Sequence, residues 1–285
     1  MDLSIIIVNY NTRDLTNQTI DSIIKYTKGV DYEIIVVDNS SDKNQQCKYR
    51  NEQVTILPDI ENRGFGHACN VGAKVSKGEF LLFLNSDTLI HDNSLMKCVQ
   101  YMKNDQSIGV LGARILLRDG TLDHGCKRGF PTPSAAFYYY AGFDKKYPTS
   151  RKFGAYRQTF LSETETNEVD SVSGAFLMIS KALFENVNGF DETFFMYGED
   201  LDLCYRIKEK GYKVMYYPEA VITHLKGQSG LHKSSKIVIY HFYNAMILFY
   251  NEHYKSKYNF LVTMMVYGAV KTKYLLTVLK HRGSK

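Results

Sequence analysis

An α/β fold, built on a mostly parallel Rossmann-like sheet flanked by helices, is what this sequence predicts. Three observations carry that expectation. Short apolar runs rich in Ile, Val and Leu occur at residues 3–8, 32–37, 54–57 and 80–84. These runs are continuous rather than alternating, the pattern of strands covered on both faces. Three of them end in polar residues: Asn9 and Asn11, Asp38 and Asn39, Asn85 and Asp87. Open parallel sheets gather ligands at such carboxyl ends.

The first strand, 3–8, is broken by Asn9, Tyr10, Asn11 and Thr12, with Asn11 or Thr12 suited to cap a helix. Leu15, Thr19, Ile23 and Tyr26 then recur at near-helical spacing. The strand at 32–37 completes a βαβ unit, for which a right-handed crossover is the rule. Residues 54–57 form a third strand, 67–75 a helix and 80–84 a fourth strand. Next come a helix at 94–103 and an extended run at 109–117, closed by the turn pair Asp119-Gly120. Residues 125–168 show no periodicity and carry Pro131, Pro133, Pro148 and three consecutive tyrosines. Such a stretch suits a long substrate loop or an insertion.

Residues 173–179 return to strand character, followed by a short helix at 181–187. A helix at 201–210 ends at Gly211, the position that favours glycine. Short strands at 214–217 and 221–223 flank Pro218. Helical patterns at 237–250 and 260–279 close the chain. Neither is a transmembrane span: the first is short and holds His241 and Asn244, and Lys271 and Lys273 interrupt the second. The expected organisation is a domain at 1–234, divided at 112/113, and a basic aromatic tail at 235–285.

Hydrophobic residues are 44% of the 285, enough for one large core, and 23% charge excludes a disordered or fibrous chain. Five cysteines without a CxxC pair fit reduced thiols better than disulfides or zinc. The chain opens directly into a strand with no basic leader, so a cytoplasmic location is expected. The net charge of +5 is uneven: from Tyr205 onward there are 14 Lys/Arg against 3 Asp/Glu, net +11, which leaves −6 for the rest. A basic amphipathic tail fits an anionic membrane surface, and its aromatic residues could equally pair two copies in a homodimer. No nucleic-acid motif accompanies it, and no nucleic-acid partner is expected.

The densest chemical signal is the trio Glu199, Asp200 and Asp202 at a helix start, directly after Phe194, Phe195, Met196 and Tyr197. Carboxylates beside a buried aromatic run are costly unless they bind a cation, a proton or a hydroxyl. Asp202 is better explained as a structural partner of Arg206 at i+4.

These pieces, taken in order, resemble the inverting family 2 glycosyltransferases of GT-A fold, most of all their rhamnosyltransferase-type members. The resemblance covers most of 4–224. It rests on the strand ending at Asn9 and Asn11, on Asp38-Asn39-Ser40-Ser41, and on Asn62-Arg63-Gly64-Phe65-Gly66. It continues through Asn85-Ser86-Asp87, Ser173-Gly174-Ala175, Asp191, Gly198-Glu199-Asp200 and His224. It implies sugar transfer, with inversion, from a nucleotide diphosphate donor to an acceptor hydroxyl. A dTDP-rhamnose or UDP-sugar donor and a lipid-linked, growing cell-surface polysaccharide acceptor would suit, at the inner face of the membrane.

The roles so implied place Asn9, Asn11, Asp38, Arg63, Gly64, Asn85, Ser86 and Asp87 at the donor. Asp200 is the base, with Glu199 second, and Asp191 is near the acceptor. Asp87 matches the last position of a DxD motif and, with His224, would hold a divalent cation, Mn or Mg. The first position of that motif is Asn85 here, one charge fewer. A sugar nucleotidyltransferase would want a glycine-rich basic loop after strand one, and residues 9–13 hold no glycine. A non-catalytic nucleotide-sugar-binding protein is the other alternative. Intact Asp87, Glu199 and Asp200 argue against it.

Overall fold

The computed structural model describes residues 1–58, 61–225 and 236–282. Its first half follows the expected βαβ order. Strand β1 (Leu3–Asn9) leads through helix α1 (Arg13–Tyr26) to β2 (Tyr32–Asp38). The two strands pair in parallel from Leu3 opposite Tyr32 to Asn9 opposite Asp38. Strand β3 (Val54–Pro58) adds to β2, and after helix α2 (Phe65–Val75) strand β4 (Phe80–Asn85) adds to β1, both parallel. Ile5, Ile6, Ile7, Ile34 and Val36 are inaccessible to solvent. Their unbroken apolar runs are therefore explained by cover on both faces.

The second half mixes directions. Strand β5 (Thr88–Ile90), helix α3 (Ser94–Asn104) and strand β6 (Ile108–Leu116) come first. The turn at Asp119-Gly120 forms, with Leu117 N–H donating to the Thr121 carbonyl at 2.8 Å. Residues 125–168 hold two short helices, α4 (Pro133–Tyr140) and α5 (Phe143–Lys146). Thr132 caps α4 by accepting from Ala135 N–H, and Pro133 occupies its first turn, where no N–H is needed. Strands β7 (Asn167–Val169) and β8 (Phe176–Ser180) follow, then helices α6 (Lys181–Asn186) and α7 (Glu199–Glu209). Strand β9 (Lys213–His224) and helices α8 (Lys236–His253) and α9 (Phe260–Arg282) complete the chain. The sheet order is β3-β2-β1-β4-β8-β6-β9-β5, with β7 beside β9. Strand β8 runs antiparallel to both β4 and β6.

Three expectations are corrected. The two short strands around Pro218 are one strand, β9. Its register against β6 slips between Ala113 and Arg114, whose partners are Tyr217 and Val221. A proline without an N–H interrupts the ladder there, and the strand continues past a bulge. The strand expected from 173 begins only at Phe176, because the Gly174 N–H turns away to donate to Asp200 Oδ2 at 2.9 Å. The division at 112/113 falls inside β6, so both halves share one sheet and one core. The boundary at 234/235 lies outside the described residues.

Helix α8 packs on α7 through a second apolar cluster that includes Phe194, Leu201, Tyr205, Phe249 and Tyr250. At its centre is Asp202, with a side chain only 1% exposed. Its carboxylate accepts from Arg206 at 2.7 Å and from His253 Nε2 at 2.8 Å. The Arg206 guanidinium also donates to the carbonyls of Val187 and Gly189. The i+4 partnership expected for Asp202 is therefore present, and α8 extends it. Removing one member of a buried charged set leaves the others uncompensated. Asp202→Ala should cost about 3 kcal/mol in urea unfolding. A loss below about 0.5 kcal/mol, the level of an exposed pair, would show the network to be incidental.

Candidate active site

A cavity of about 880 Å³ opens at the carboxyl ends of β1 and β4 and continues beneath α4, α8 and α9. Its polar end is built by the loops after β1, β2 and β4. Asn9 is fully buried, and its Nδ2 donates to Asp38 Oδ2 at 3.1 Å, Ser40 Oγ at 2.9 Å and the Gln45 carbonyl at 2.9 Å. Its Oδ1 accepts from both Thr12 and Thr16. Asp38 Oδ2 accepts in addition from Cys47 N–H at 2.5 Å. Asn9 and Asp38 thus lie behind the cavity wall and hold its loops together. The wall itself is made by their neighbours Thr12 and Asn39. Asn39 Oδ1 is buried with no hydrogen-bond partner among the described residues, an acceptor that a ligand N–H or hydroxyl could satisfy.

Asn11 has φ +56° and ties the two loops together, donating to Ser41 Oγ and accepting from Asp42 N–H. It does not line the cavity. Arg63 is half exposed and points to Glu192 at 3.4 Å, whereas Asn62, Gly64 and Phe65 face the cavity. Gly64 has φ +107°, and a Cβ there would stand 2.4 Å from the Phe195 carbonyl oxygen. What its bare backbone lets approach is the Phe195 backbone, through Phe65 N–H on that carbonyl at 2.9 Å. Asp191 sits in a turn outside the cavity and accepts from Thr193 N–H.

Asn85, Ser86, Asp87 and His224 all line the cavity. Pairing of β5 with the end of β9 sets Thr88 opposite His224. That register brings Asp87 Oδ1 to 3.1 Å from His224 Nε2. On the other ring face, Asp123 Oδ2 is 3.2 Å from Nδ1. Burial works against a charge on this imidazole, but the hydrogen bonds it donates to Asp123 and Asp87 outweigh it and lift its pKa to about 9. Among the described residues no group of three or more His, Cys, Asp or Glu encloses an ion position. Asp87 and His224 nevertheless fit as two neighbouring ligands. Donors on an ion with bonds of roughly 2.1 Å at right angles lie about 3 Å apart. A carboxylate on the far imidazole nitrogen is the usual support of a ligating histidine.

The third part is the start of α7. Gly198, with φ +88°, caps it, and Glu199 and Asp200 form its first turn facing the cavity. Asp200 Oδ2 accepts from Arg128 Nη2 at 2.7 Å and from Gly174 N–H at 2.9 Å, and Oδ1 accepts from Leu201 N–H at 2.8 Å. Burial opposes the charge on Arg128, and Asp200 beside it more than restores it. Asp200 is therefore matched by one guanidinium and two backbone N–H donors. Glu199 is not so matched: its Oε2 is buried without a hydrogen-bond partner among the described residues. Burial, and then the Asp200 charge, push its pKa up to about 8.

Residues 2–239 match the model of the family described as "Glycosyltransferase like family 2". The chain belongs to this family. Among its relatives, the hexosyltransferase Agl10 of low-salt glycan biosynthesis in Haloferax volcanii is 27% identical over 75% of this chain. The Escherichia coli rhamnosyltransferase WbbL is 28% identical, over 75% of this chain and 80% of its own. A Mycobacterium tuberculosis enzyme named N-acetylglucosaminyl-diphospho-decaprenol L-rhamnosyltransferase is 28% identical, over 73% and 71%. The alignments span 64% of the Haloferax protein and 17% of the Myxococcus xanthus O-antigen biosynthesis protein RfbC.

The fold is that of the GT-A transferases. A Pyrobaculum calidifontis mannosyltransferase, solved with GDP-mannose and Mn2+, superposes with a TM-score of 0.59 at 14% identity, over 99% of this chain and 73% of its own. The transferase GalNAc-T7, solved with UDP, GalNAc and Mn2+, gives 0.56 at 17% identity over 78% and 43%.

Asp123 and Arg128 are contributors to this cavity that the sequence did not single out, whereas Asn39 was among the strand-end residues expected to face it. Asp123 follows the turn at Gly120, and that turn was its sole signal. Arg128 lies in the segment without periodicity and had none.

Glu199 makes the family's acidic pair sensitive to pH. Below its ordinary pKa of 4.5 the carboxyl is protonated in both folded and unfolded chain and costs nothing. As pH rises from there through about 8, the unfolded chain ionises first, so stability falls. Glu199→Gln removes this effect. The variant should gain melting temperature over the parent at pH 8 and little at pH 4.5. An equal difference at both pH values would show that Glu199 titrates normally.

Proposed function

We propose that the chain transfers a sugar from a nucleotide diphosphate donor to an acceptor hydroxyl, with inversion at the anomeric carbon. The observation that carries this is the opening of both acidic sets, Asp87 with His224 and Glu199 with Asp200, into one cavity at the strand ends. The Thr12 and Asn39 wall takes the nucleoside, with Asn9, Asn11 and Asp38 positioning it from behind. Ser86 and Asn85 flank the diphosphate, and Arg63 stands at the rim. Asp87 and His224 hold a divalent cation, for which the carboxylate suits Mg or Mn and the imidazole favours Mn. When bound, that cation offsets the negative charge that builds up on the departing diphosphate.

Asp200 is the base. Arg128 and the Gly174 N–H fix its position on the cavity wall, where it can accept the proton of a bound hydroxyl. The acceptor oxygen forms a bond to the anomeric carbon from the face opposite the diphosphate. The bond from that carbon to the diphosphate oxygen breaks, the hydroxyl proton passes to Asp200, and the nucleoside diphosphate leaves. Glu199, protonated near neutral pH, stands beside it as a hydrogen-bond donor. The three relatives named above support a rhamnosyl or hexosyl donor, dTDP-rhamnose or a UDP-sugar. The mycobacterial name supports a lipid-linked acceptor in cell-envelope polysaccharide synthesis.

A thermal-shift panel of nucleoside diphosphates, with and without Mn2+, tests the donor cleft. One nucleotide should stabilise the protein, more so with metal. Asp200→Asn should keep that binding and lose at least about a hundredfold in transfer rate, the usual share of a general base. Asp87→Ala should abolish the metal-dependent part of binding. Normal turnover in Asp200→Asn would move the base elsewhere. Nucleotide binding without any transfer would favour a non-catalytic binding protein.

No described helix is long and apolar enough to cross a membrane. Helix α9 exposes Phe260, Leu261, Met264, Leu275, Leu276 and Leu279, an apolar face at helical spacing on a helix without Asp or Glu. This face supports the reading that α9 attaches to an anionic membrane surface. Cosedimentation with phosphatidylglycerol vesicles should be retained, and Leu276→Asp with Leu279→Asp should weaken it. Unchanged sedimentation in that double variant removes the role of α9.

A further inference from the structure

The far half of the cavity has a different chemistry from the half just described. Helices α4, α8 and α9 line it with Pro133 and Ala136, with Phe242 and Met246, and with Val266 and Val270. A sugar chain needs hydroxyl partners, and of the tyrosines in this wall Tyr243 and Tyr250 already bond their hydroxyls to Thr277 and Thr263. The wall offers aliphatic and aromatic surface of the kind that accommodates hydrocarbon.

The rim indicates where that hydrocarbon comes from. Met265, Phe137 and Tyr140 line the cavity and are also 72%, 63% and 42% exposed. The cavity therefore reaches the surface between α4 and α9 through an apolar mouth. The outer face of α9, already assigned to the membrane, is continuous with that mouth through Met264 and Met265. One basic group stands in the same wall. Lys273 Nζ lies 3.6 Å over the Tyr140 ring centre, and Lys273 itself lines the cavity.

We propose that the space between α4, α8 and α9 holds the hydrocarbon chain of a lipid phosphate-linked acceptor, which enters from the membrane past Met265 and Phe137, with its phosphate against Lys273. The inference rests on the transferase reading and adds to it the place and polarity of the acceptor. It makes α8 and α9 part of the substrate site. The lipid end is held beside the membrane, and the sugar end is directed along the cavity toward Asp200.

The test uses the full chain and farnesyl diphosphate as probe, with inorganic pyrophosphate and farnesol as controls, followed by calorimetry. Each buried methylene contributes about 0.8 kcal/mol, so even two of them give roughly tenfold. Farnesyl diphosphate should bind at least about tenfold tighter than pyrophosphate. Ala269→Phe fills the cavity from an exposed helix position and should weaken it by about tenfold or more. Met265→Lys, at the open rim, is the second variant and should act in the same direction. Lys273→Ala should weaken farnesyl diphosphate but not farnesol. All three should bind the nucleoside diphosphate as the parent does.

Equal affinity for farnesyl diphosphate and pyrophosphate, with nucleotide binding intact, overturns this proposal and leaves the transferase reading standing. Loss of nucleotide binding in the parent itself would count against both. A parallel loss of phosphatidylglycerol vesicle binding in Ala269→Phe would mean that the cavity holds bulk lipid instead, and also overturns it.

Discussion

Asp202 is a fully enclosed carboxylate, and three elements meet on it. Arg206 ties it to the carbonyls of Val187 and Gly189, and His253 ties it to α8. A charge removed from water must be matched in place, so this set has little freedom to shift. It fixes the axis of α7, and Glu199 and Asp200 ride on the first turn of that helix. The same contact seats α8, which forms one wall of the apolar half of the cavity. The acidic pair and the tail are therefore held by one interaction.

The two neighbouring carboxylates differ because their surroundings differ. Asp200 meets a guanidinium and two backbone N–H groups. Glu199, one residue away, has a buried oxygen with no partner and keeps its proton to higher pH. Adjacent acids with separated proton affinities can serve as acceptor and donor of protons in one site. At the opposite end, Asp123 and Asp87 bracket His224 so that one ring nitrogen is oriented and the other faces the cavity. Both ends follow one design, in which a buried partner fixes the group that faces the ligand.

Much of this was legible in the sequence. The apolar runs marked β1, β2 and β4, since continuous burial of a strand leaves a continuous apolar pattern, while the partly exposed edge strand β3 was marked by its short apolar run alone. The motif order around Asp87, Glu199, Asp200 and His224 indicated the family, and the family model over 2–239 agrees. Asp202 was assigned to Arg206 from helix spacing alone, a local relation. The direction each strand-end polar residue faces was not legible. Asn9 and Asp38 turn inward and leave the wall to Thr12 and Asn39. A strand end breaks the two-residue alternation that would have predicted this.

The sequence by itself determined the buried strands of the first half, the longer helices, the family and the acidic pair, because these depend on periodicity and short motifs within a few residues. Only the tertiary structure decided which groups stand beside that pair and beside His224. Arg128 reaches Asp200 across 72 residues, and Asp123 reaches His224 across 101. The structure likewise decided that α4, α8 and α9 close around one apolar space. A charged side chain carries no local mark of its distant partner, since the pairing is set by how the whole sheet brings its strand ends together.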